Sequence, residues 1–211
     1  RFDAIHLVEN TAVVNLYSCE GCGVCSHVCP AGAVRLLPDV AGKKELYTGA
    51  RVFSTATLKM GRGNSGKLVT EVKKAMLKAA PPCELAIVDG SPGIGCPVIA
   101  SVNGMDLVLV VAEPSGSGIS DLKRLCATAA TLQVQLAVCV NKYDVSPQHT
   151  ECIETFCRQQ GIAFVGKIPF DPMAVRAVNE RTTVVDIDCP AGRAVREIFA
   201  KLTALLAERS I

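Results

Sequence analysis

Apolar and polar positions change their spacing near residue 60. Before it, apolar residues alternate over short stretches: Ile5 to Val8 and Thr11 to Leu16 flank Glu9-Asn10, a hairpin pattern. A second extended pair is expected between Lys44 and Leu58, rich in Thr, Val, Tyr and Phe, with its bend near Gly49. Beyond it, Asn64-Ser65 caps a helix expected to run through Leu77 and stop at Pro81-Pro82. Four apolar runs of strand length follow, Leu85 to Val88, Leu107 to Val111, Leu136 to Val140 and Ala163 to Ile168, the last interrupted by Lys167. Runs without alternation fit strands covered on both faces, as in a parallel sheet. Helical stretches separate them, at Pro97 to Val102, Ile119 to Leu132 and His149 to Gln160, the last stopped by Gly161. A final amphipathic helix from Gly192 to about Glu208 carries Val195, Ile198, Phe199, Leu202 and Leu205 on one face. Such alternation predicts an α/β fold with a doubly wound, mostly parallel sheet. The expected division is 1–60, loops and hairpins, and 61–211, the α/β part.

Composition removes several classes. Of 211 residues, 49% are hydrophobic and 20% charged, which excludes a disordered chain. The mean hydropathy of +0.32 is high, but Leu107 to Ala112 is typical of the longest apolar runs and far short of a membrane span. Net charge is +2 with Lys and Arg scattered, so no nucleic-acid partner is expected. Eleven cysteines, an odd number, cluster in part, which argues for a metal site in a reducing compartment over a disulfide framework and predicts a cytoplasmic protein.

The cluster is Cys19-x-x-Cys22-x-x-Cys25-x-x-x-Cys29-Pro30. Three thiolates with two-residue spacers in a tight loop can converge on one face of a 4Fe-4S cube, and Gly21 and Gly23 let the loop close. The alternative is zinc, whose small sites favour two separated Cys pairs. In two-cluster versions of this run the fourth Cys ligates the other cluster. Arg1 to Val8 aligns with Pro30 to Leu37 at an offset of 29, which would put a Cys immediately ahead of Arg1. By that register Cys19, Cys22 and Cys25 share one cluster with a Cys outside the chain, and Cys29 serves a second. The chain also opens without Met, so it is expected to be a fragment of a longer protein, with poor cluster retention.

Two strand ends carry further chemistry. Asp89-Gly90-Ser91-Pro92-Gly93 follows Leu85 to Val88, where α/β nucleotide enzymes place a metal-water carboxylate and a γ-phosphate sensor; an ordinary capped turn is the alternative. Asn141-Lys142-Tyr143-Asp144 follows Leu136 to Val140 and offers polar side chains to a base edge. Gly61 to Leu68 nearly matches the phosphate loop G-x-x-x-x-G-K-[ST]. Leu68 replaces the hydroxyl residue and no buried strand precedes Gly61, so a turn opening a helix is favoured.

Taken with Glu113-Pro114 and Ile168-Pro169-Phe170-Asp171, these motifs resemble, in kind and order, the MinD/Mrp-like P-loop ATPases that carry an inserted ferredoxin domain. The resemblance implies two 4Fe-4S clusters in the intact parent, ATP with Mg²⁺, a homodimer, and an unknown redox or cluster-accepting protein. It implies Asp89 as the switch aspartate acting through Mg²⁺-bound water and Gly93 as a backbone donor near the γ-phosphate. Asn141 would touch adenine, with Pro169 and Asp171 at the rim of the base pocket. Ser91 stands where the family usually has a second Pro. The family's K-G-G-x-G-K-[ST] loop is absent from these 211 residues, so the intact parent is expected to be the ATPase and this chain inactive. The competing reading is a ferredoxin module on a non-hydrolysing α/β docking scaffold.

The other thiols suggest no shared site. Cys96 is expected at a helix start, and Cys126 and Cys139 in packing positions. Cys152 and Cys157 lie about 140° apart around one helix. Cys83, Cys189, His6 and His149 have no partner pattern, and His27 is expected at the surface.

Overall fold

The computed structural model describes residues 2–208, and its contacts divide the chain between Val88 and Asp89. The first unit opens with β1 (Ile5–Val8) and β2 (Thr11–Val14), antiparallel with Ile5 opposite Val14. Glu9 and Asn10 both take positive φ, the backbone that a two-residue hairpin needs to match strand twist. A short α1 (Val24–Val28) follows within the cysteine run. Then β3 (Gly42–Tyr47) and β4 (Phe53–Leu58) form a second antiparallel hairpin, closed beyond Tyr47 and Phe53, whose rings stack at 6.0 Å. The bend falls at 48–52, around Gly49 as expected.

Helix α2 (Gly66–Ala79) is capped by Ser65, whose Oγ accepts the Leu68 N–H at 3.2 Å. It lies on the hairpin, and Ser54 Oγ donates to the Val72 carbonyl at 2.9 Å. Sequence analysis assigns this helix to the α/β part; the contacts group it with β3 and β4, because its apolar face is covered by the hairpin. Leu85 to Val88 corrects the sequence reading more sharply. No ladder forms there, and Ile87 is 74% exposed. An apolar run becomes a strand only with a neighbour to complete its hydrogen bonds, and none pairs with it among the described residues.

The second unit is the doubly wound part. After α3 (Cys96–Val102) come β5 (Leu107–Ala112), α4 (Gly116–Thr131), β6 (Gln135–Asn141), α5 (Pro147–Gln160), β7 (Ala163–Ile168), α6 (Pro172–Asn179) and α7 (Pro190–Ala207). The sheet order is β5-β6-β7, all parallel. Its core divides by strand alternation. Val138 and Val140 face Leu122 of α4 and Ile153 and Cys157 of α5, while Ala137, Cys139 and Val165 face Ile198 of α7. Helices on both faces explain why β6 reads as an unbroken apolar run.

Two glycines of this unit permit close approaches, and a third ends a helix. At Gly166, across the bulge between Val138 and Cys139, a Cβ would stand 2.7 Å from Ile198 Cγ1. At Gly118 it would meet the Glu113 carbonyl at 2.3 Å, so this glycine lets α4 begin at residue 116, three residues earlier than its apolar period suggests. Gly161 closes α5 with φ 65°, as expected of the stop after Gln160.

Candidate functional site: a cysteine loop and a sheet edge

The cysteine loop is shaped by backbone hydrogen bonds. Asn15 Oδ1 accepts the N–H groups of Tyr17 at 2.9 Å and Ser18 at 3.4 Å, and the Cys19 N–H donates to the Asn15 carbonyl at 3.0 Å. This turn delivers the chain into Cys19. Gly21 and Gly23 then take φ of 62° and 76°, and Leu36 Cδ1 would lie 3.3 Å from a Cβ at Gly23. The backbone therefore favours glycine at residue 23, and a side chain there would also push the tip of Leu36 aside by a few tenths of an ångström. Cys25 lies in α1, and Cys29 ends it.

Cys29 has a distinct electrostatic setting. Its Sγ accepts the Ala33 N–H at 3.4 Å. The N–H dipoles of Ala33 first, then Ala31, hold its thiol below the ordinary value against an opposing effect of burial, with lesser help from Gly32 and Val34. Such a cradle favours thiolate, the form that binds metal. Elsewhere the chain does the opposite: burial pushes the Cys139 and Cys157 thiols up to about 11. All four clustered cysteines are free; Cys22 is exposed and the other three partly covered. Among the described residues no three His, Cys, Asp or Glu side chains converge as around a single ion. An iron-sulfur cube spreads its thiolates more widely than one metal ion does. Four unpaired thiols on a glycine-turned loop, one of them in an N–H cradle, fit a 4Fe-4S group. His27 is exposed.

The second candidate region lies at the carboxyl ends of the parallel strands, where α/β sheets bind ligands. Asn141 ends β6 opposite Ile168 of β7, so Pro169 begins the adjacent loop. Lys142 adopts φ 54°, and its Nζ lies 2.8 Å from Glu113 Oε1, joining the loops after β5 and β6. Asp144 Oδ1 accepts the Phe170 N–H at 2.7 Å, joining those after β6 and β7. Thr150 is buried and its Oγ1 donates to the Tyr143 carbonyl at 2.8 Å, anchoring the middle loop to α5.

Asp171 accepts the Met173 N–H through Oδ1 and the Ala191 N–H through Oδ2, at 2.9 and 3.1 Å. These two bonds, Met173 first, hold its carboxyl below the ordinary value. They also engage the side chain in capping α6 and tying it to α7. The structure thus brings Asn141, Pro169 and Asp171 together along one sheet edge. Asp89 and Gly93 occupy the exposed, irregular segment ahead of α3, where Gly93 takes φ 89° with open space beside it. Lys67 is exposed in the first turn of α2, behind a Ser65 cap.

Comparison with known proteins assigns a class to each half of this description. The model of the 4Fe-4S binding domain matches residues 12–35, which include all four clustered cysteines. The chain also superposes on the MinD cell division protein of Aquifex aeolicus with a TM-score of 0.54 at 20% identity, covering 66% of this chain and 61% of that one. The class is therefore an α/β protein of MinD-like fold that carries a 4Fe-4S binding segment.

Its sequence relatives include two from Methanocaldococcus jannaschii. An uncharacterized protein is 28% identical over 145 residues, 69% of this chain and 48% of the relative. An uncharacterized ATP-binding protein is 32% identical over 126 residues, 56% of this chain and 46% of the relative. The chain spans about half the length of these relatives. Among the described residues, no helix is long and apolar enough to cross a membrane.

Sequence reading misses two residues of the cysteine loop. Asn15 carries a local signal, an Asn two residues before the N–H it accepts. Arg62 carries none: its Nη1 donates to the Leu16 carbonyl, 46 residues away, at 3.4 Å.

Proposed function

We propose that this chain is an iron-sulfur and ATP-binding protein of the MinD/Mrp type, in which nucleotide binding or hydrolysis is coupled to electron or cluster transfer. The observation that carries the reading is the Cys19–Cys29 loop, with its N–H cradle at Cys29, in the same chain as a MinD-like sheet. When bound, a 4Fe-4S cluster supplies one-electron chemistry.

Cys19, Cys22 and Cys25 hold one cluster and Cys29 contributes to a second. At the sheet edge Asn141 serves the base end of the nucleotide, and Pro169 and Asp171 shape its rim. Asp171 does so by holding the start of α6 in place, its carboxylate being engaged by two backbone N–H groups. Asp89 and Gly93 serve the phosphate end, Gly93 through its backbone N–H. The 1–60 and 61–211 division is proposed as the functional one, with cluster ligands in the first part and nucleotide residues in the second. A homodimer and a redox or cluster-accepting partner complete the reading. Eleven free thiols suit a reducing cytoplasm.

This chain carries no K-G-G-x-G-K-[ST] loop, whose backbone and lysines position the β- and γ-phosphates. The 211-residue chain is expected to show no Mg²⁺-dependent ATP hydrolysis above buffer, measured by phosphate release. Hydrolysis that disappears with Lys67→Ala would overturn this assignment and promote the turn at Gly61 to a phosphate loop.

A further inference from the structure

The turn at residues 59–67 touches the cysteine loop at several points. Gly61 takes φ 77°, and a Cβ there would stand 3.3 Å from the Tyr17 ring. The Arg62 backbone N–H donates to the Lys59 carbonyl at 3.1 Å, which directs its side chain from the end of β4. Nη1 then donates to the Leu16 carbonyl at 3.4 Å, three residues before Cys19. Nη2 pairs with the Asp39 carboxylate, ten residues after Cys29. One guanidinium therefore bridges the chain entering the cysteine run and the chain leaving it. A planar fork with several fixed donors suits that task, whereas an ammonium reaches one partner at a time. The Arg62 side chain is 27% exposed, so it lies mostly against the loop.

We propose that Arg62 is a positioning residue for the iron-sulfur cluster, clasping the two ends of the Cys19–Cys29 loop and offsetting the Asp39 carboxylate beside it. This rests on the iron-sulfur reading above. Three residues of chain reach at most about 11 Å, so the carbonyl that Arg62 holds lies within about one screening length of Cys19. Asp39 balances the guanidinium charge, and removing Arg62 leaves that carboxylate unpaired beside the loop, which disfavours adding an electron to the cluster. The Arg62–Asp39 pair is a surface pair, worth little to global stability. Its loss is expected to act on the cluster more than on the fold.

The test uses the whole 211-residue chain, reconstituted anaerobically with iron and sulfide. Arg62→Ala is expected to lose its cluster to a chelator roughly tenfold faster, the scale seen when groups supporting metal ligands are removed. Its midpoint potential, from dithionite titration followed by electron paramagnetic resonance, should be more negative than that of the parent. Arg62→Lys keeps the charge without the fork, so the potential should return toward the parent's while cluster loss stays fast. Asp39→Asn leaves Arg62 in place and should also accelerate loss, which keeps the test open if Arg62→Ala folds poorly. Parental loss rates in both Arg62→Ala and Asp39→Asn would overturn the proposal. So would faster loss in Arg62→Ala with an unchanged potential, since loosening any loop could do that. A parent chain that takes up no iron and sulfide during reconstitution, as distinct from one that releases its cluster quickly, would overturn the iron-sulfur reading and this inference with it.

Discussion

Replacing Gly166 by Ala probes the seam between β7 and α7. The new methyl would sit 2.7 Å from Ile198 Cγ1 and 3.3 Å from Cδ1. Carbon atoms prefer about 3.5 Å or more, so α7 or the β7 bulge must yield by roughly 0.8 Å. Ile198 is 4% exposed and sits in the cluster with Ala137, Cys139 and Val165, leaving it little room to turn away. Overpacking of this kind costs about 1–3 kcal/mol. Gly166 also takes φ 156°, a backbone conformation that side chains rarely adopt, so alanine adds strain of about 1–3 kcal/mol and gains nothing from a stiffer unfolded chain. The expected loss is about 2–5 kcal/mol, read from urea unfolding followed by far-ultraviolet circular dichroism. Ile198→Ala alone opens a cavity and should cost about 2–5 kcal/mol. In the double variant the methyl enters the space that Ile198 vacates. The two costs should therefore fall short of additivity by about 1–2 kcal/mol, within the range found for residues in contact. Additivity to within about 0.5 kcal/mol would refute the contact and the reason given for glycine at this bulge.

Two further predictions concern the same unit. Thr150→Val removes the hydroxyl that donates to the Tyr143 carbonyl at 2.8 Å, and should cost about 1 kcal/mol while raising hydrogen exchange of the amides from Asn141 to Val145. Unchanged exchange there would show that this bond does not hold the loop. Alkaline pH should destabilise the fold as well. Cys139 and Cys157 hold their protons up to about 11, whereas the unfolded chain releases them near 9. The folded state then binds more protons, so stability is fully present below about pH 9 and declines as pH rises toward about 11. Melting temperature measured from pH 8 to 11 should fall more steeply in the parent than in Cys139→Ala/Cys157→Ala.

The parallel strands were legible because helices cover both faces of β6, leaving Leu136 to Val140 apolar at every position. The same pattern misled at Leu85 to Val88, since composition records what a segment could bury and does not supply the partner that makes a ladder. Helix α6 escaped notice: its eight residues are too few for a period, and its start depends on Asp171 reaching both Met173 and Ala191. The early start of α4 was hidden by Gly116-Ser117-Gly118, which reads as loop until the Ser115 cap and the Glu113 carbonyl are seen around it. In the cysteine loop, ligand spacing is local and could be read directly. The Arg62 clasp depends on contacts across more than 40 residues, which no periodicity encodes.

The central claim is that Cys19, Cys22, Cys25 and Cys29 are iron-sulfur ligands. Mössbauer spectroscopy with iron and acid-labile sulfide analysis, on the chain reconstituted with ⁵⁷Fe and sulfide, tests it most directly. The account predicts equal iron and sulfide, a 4Fe-4S quadrupole doublet, and loss of both when Cys19, Cys22 and Cys25 are replaced by Ser. Because Cys29 serves a second cluster in the proposed assignment, Cys29→Ser should leave that doublet largely in place. A chain that takes up zinc without sulfide, or that keeps its iron after the three replacements, would contradict it.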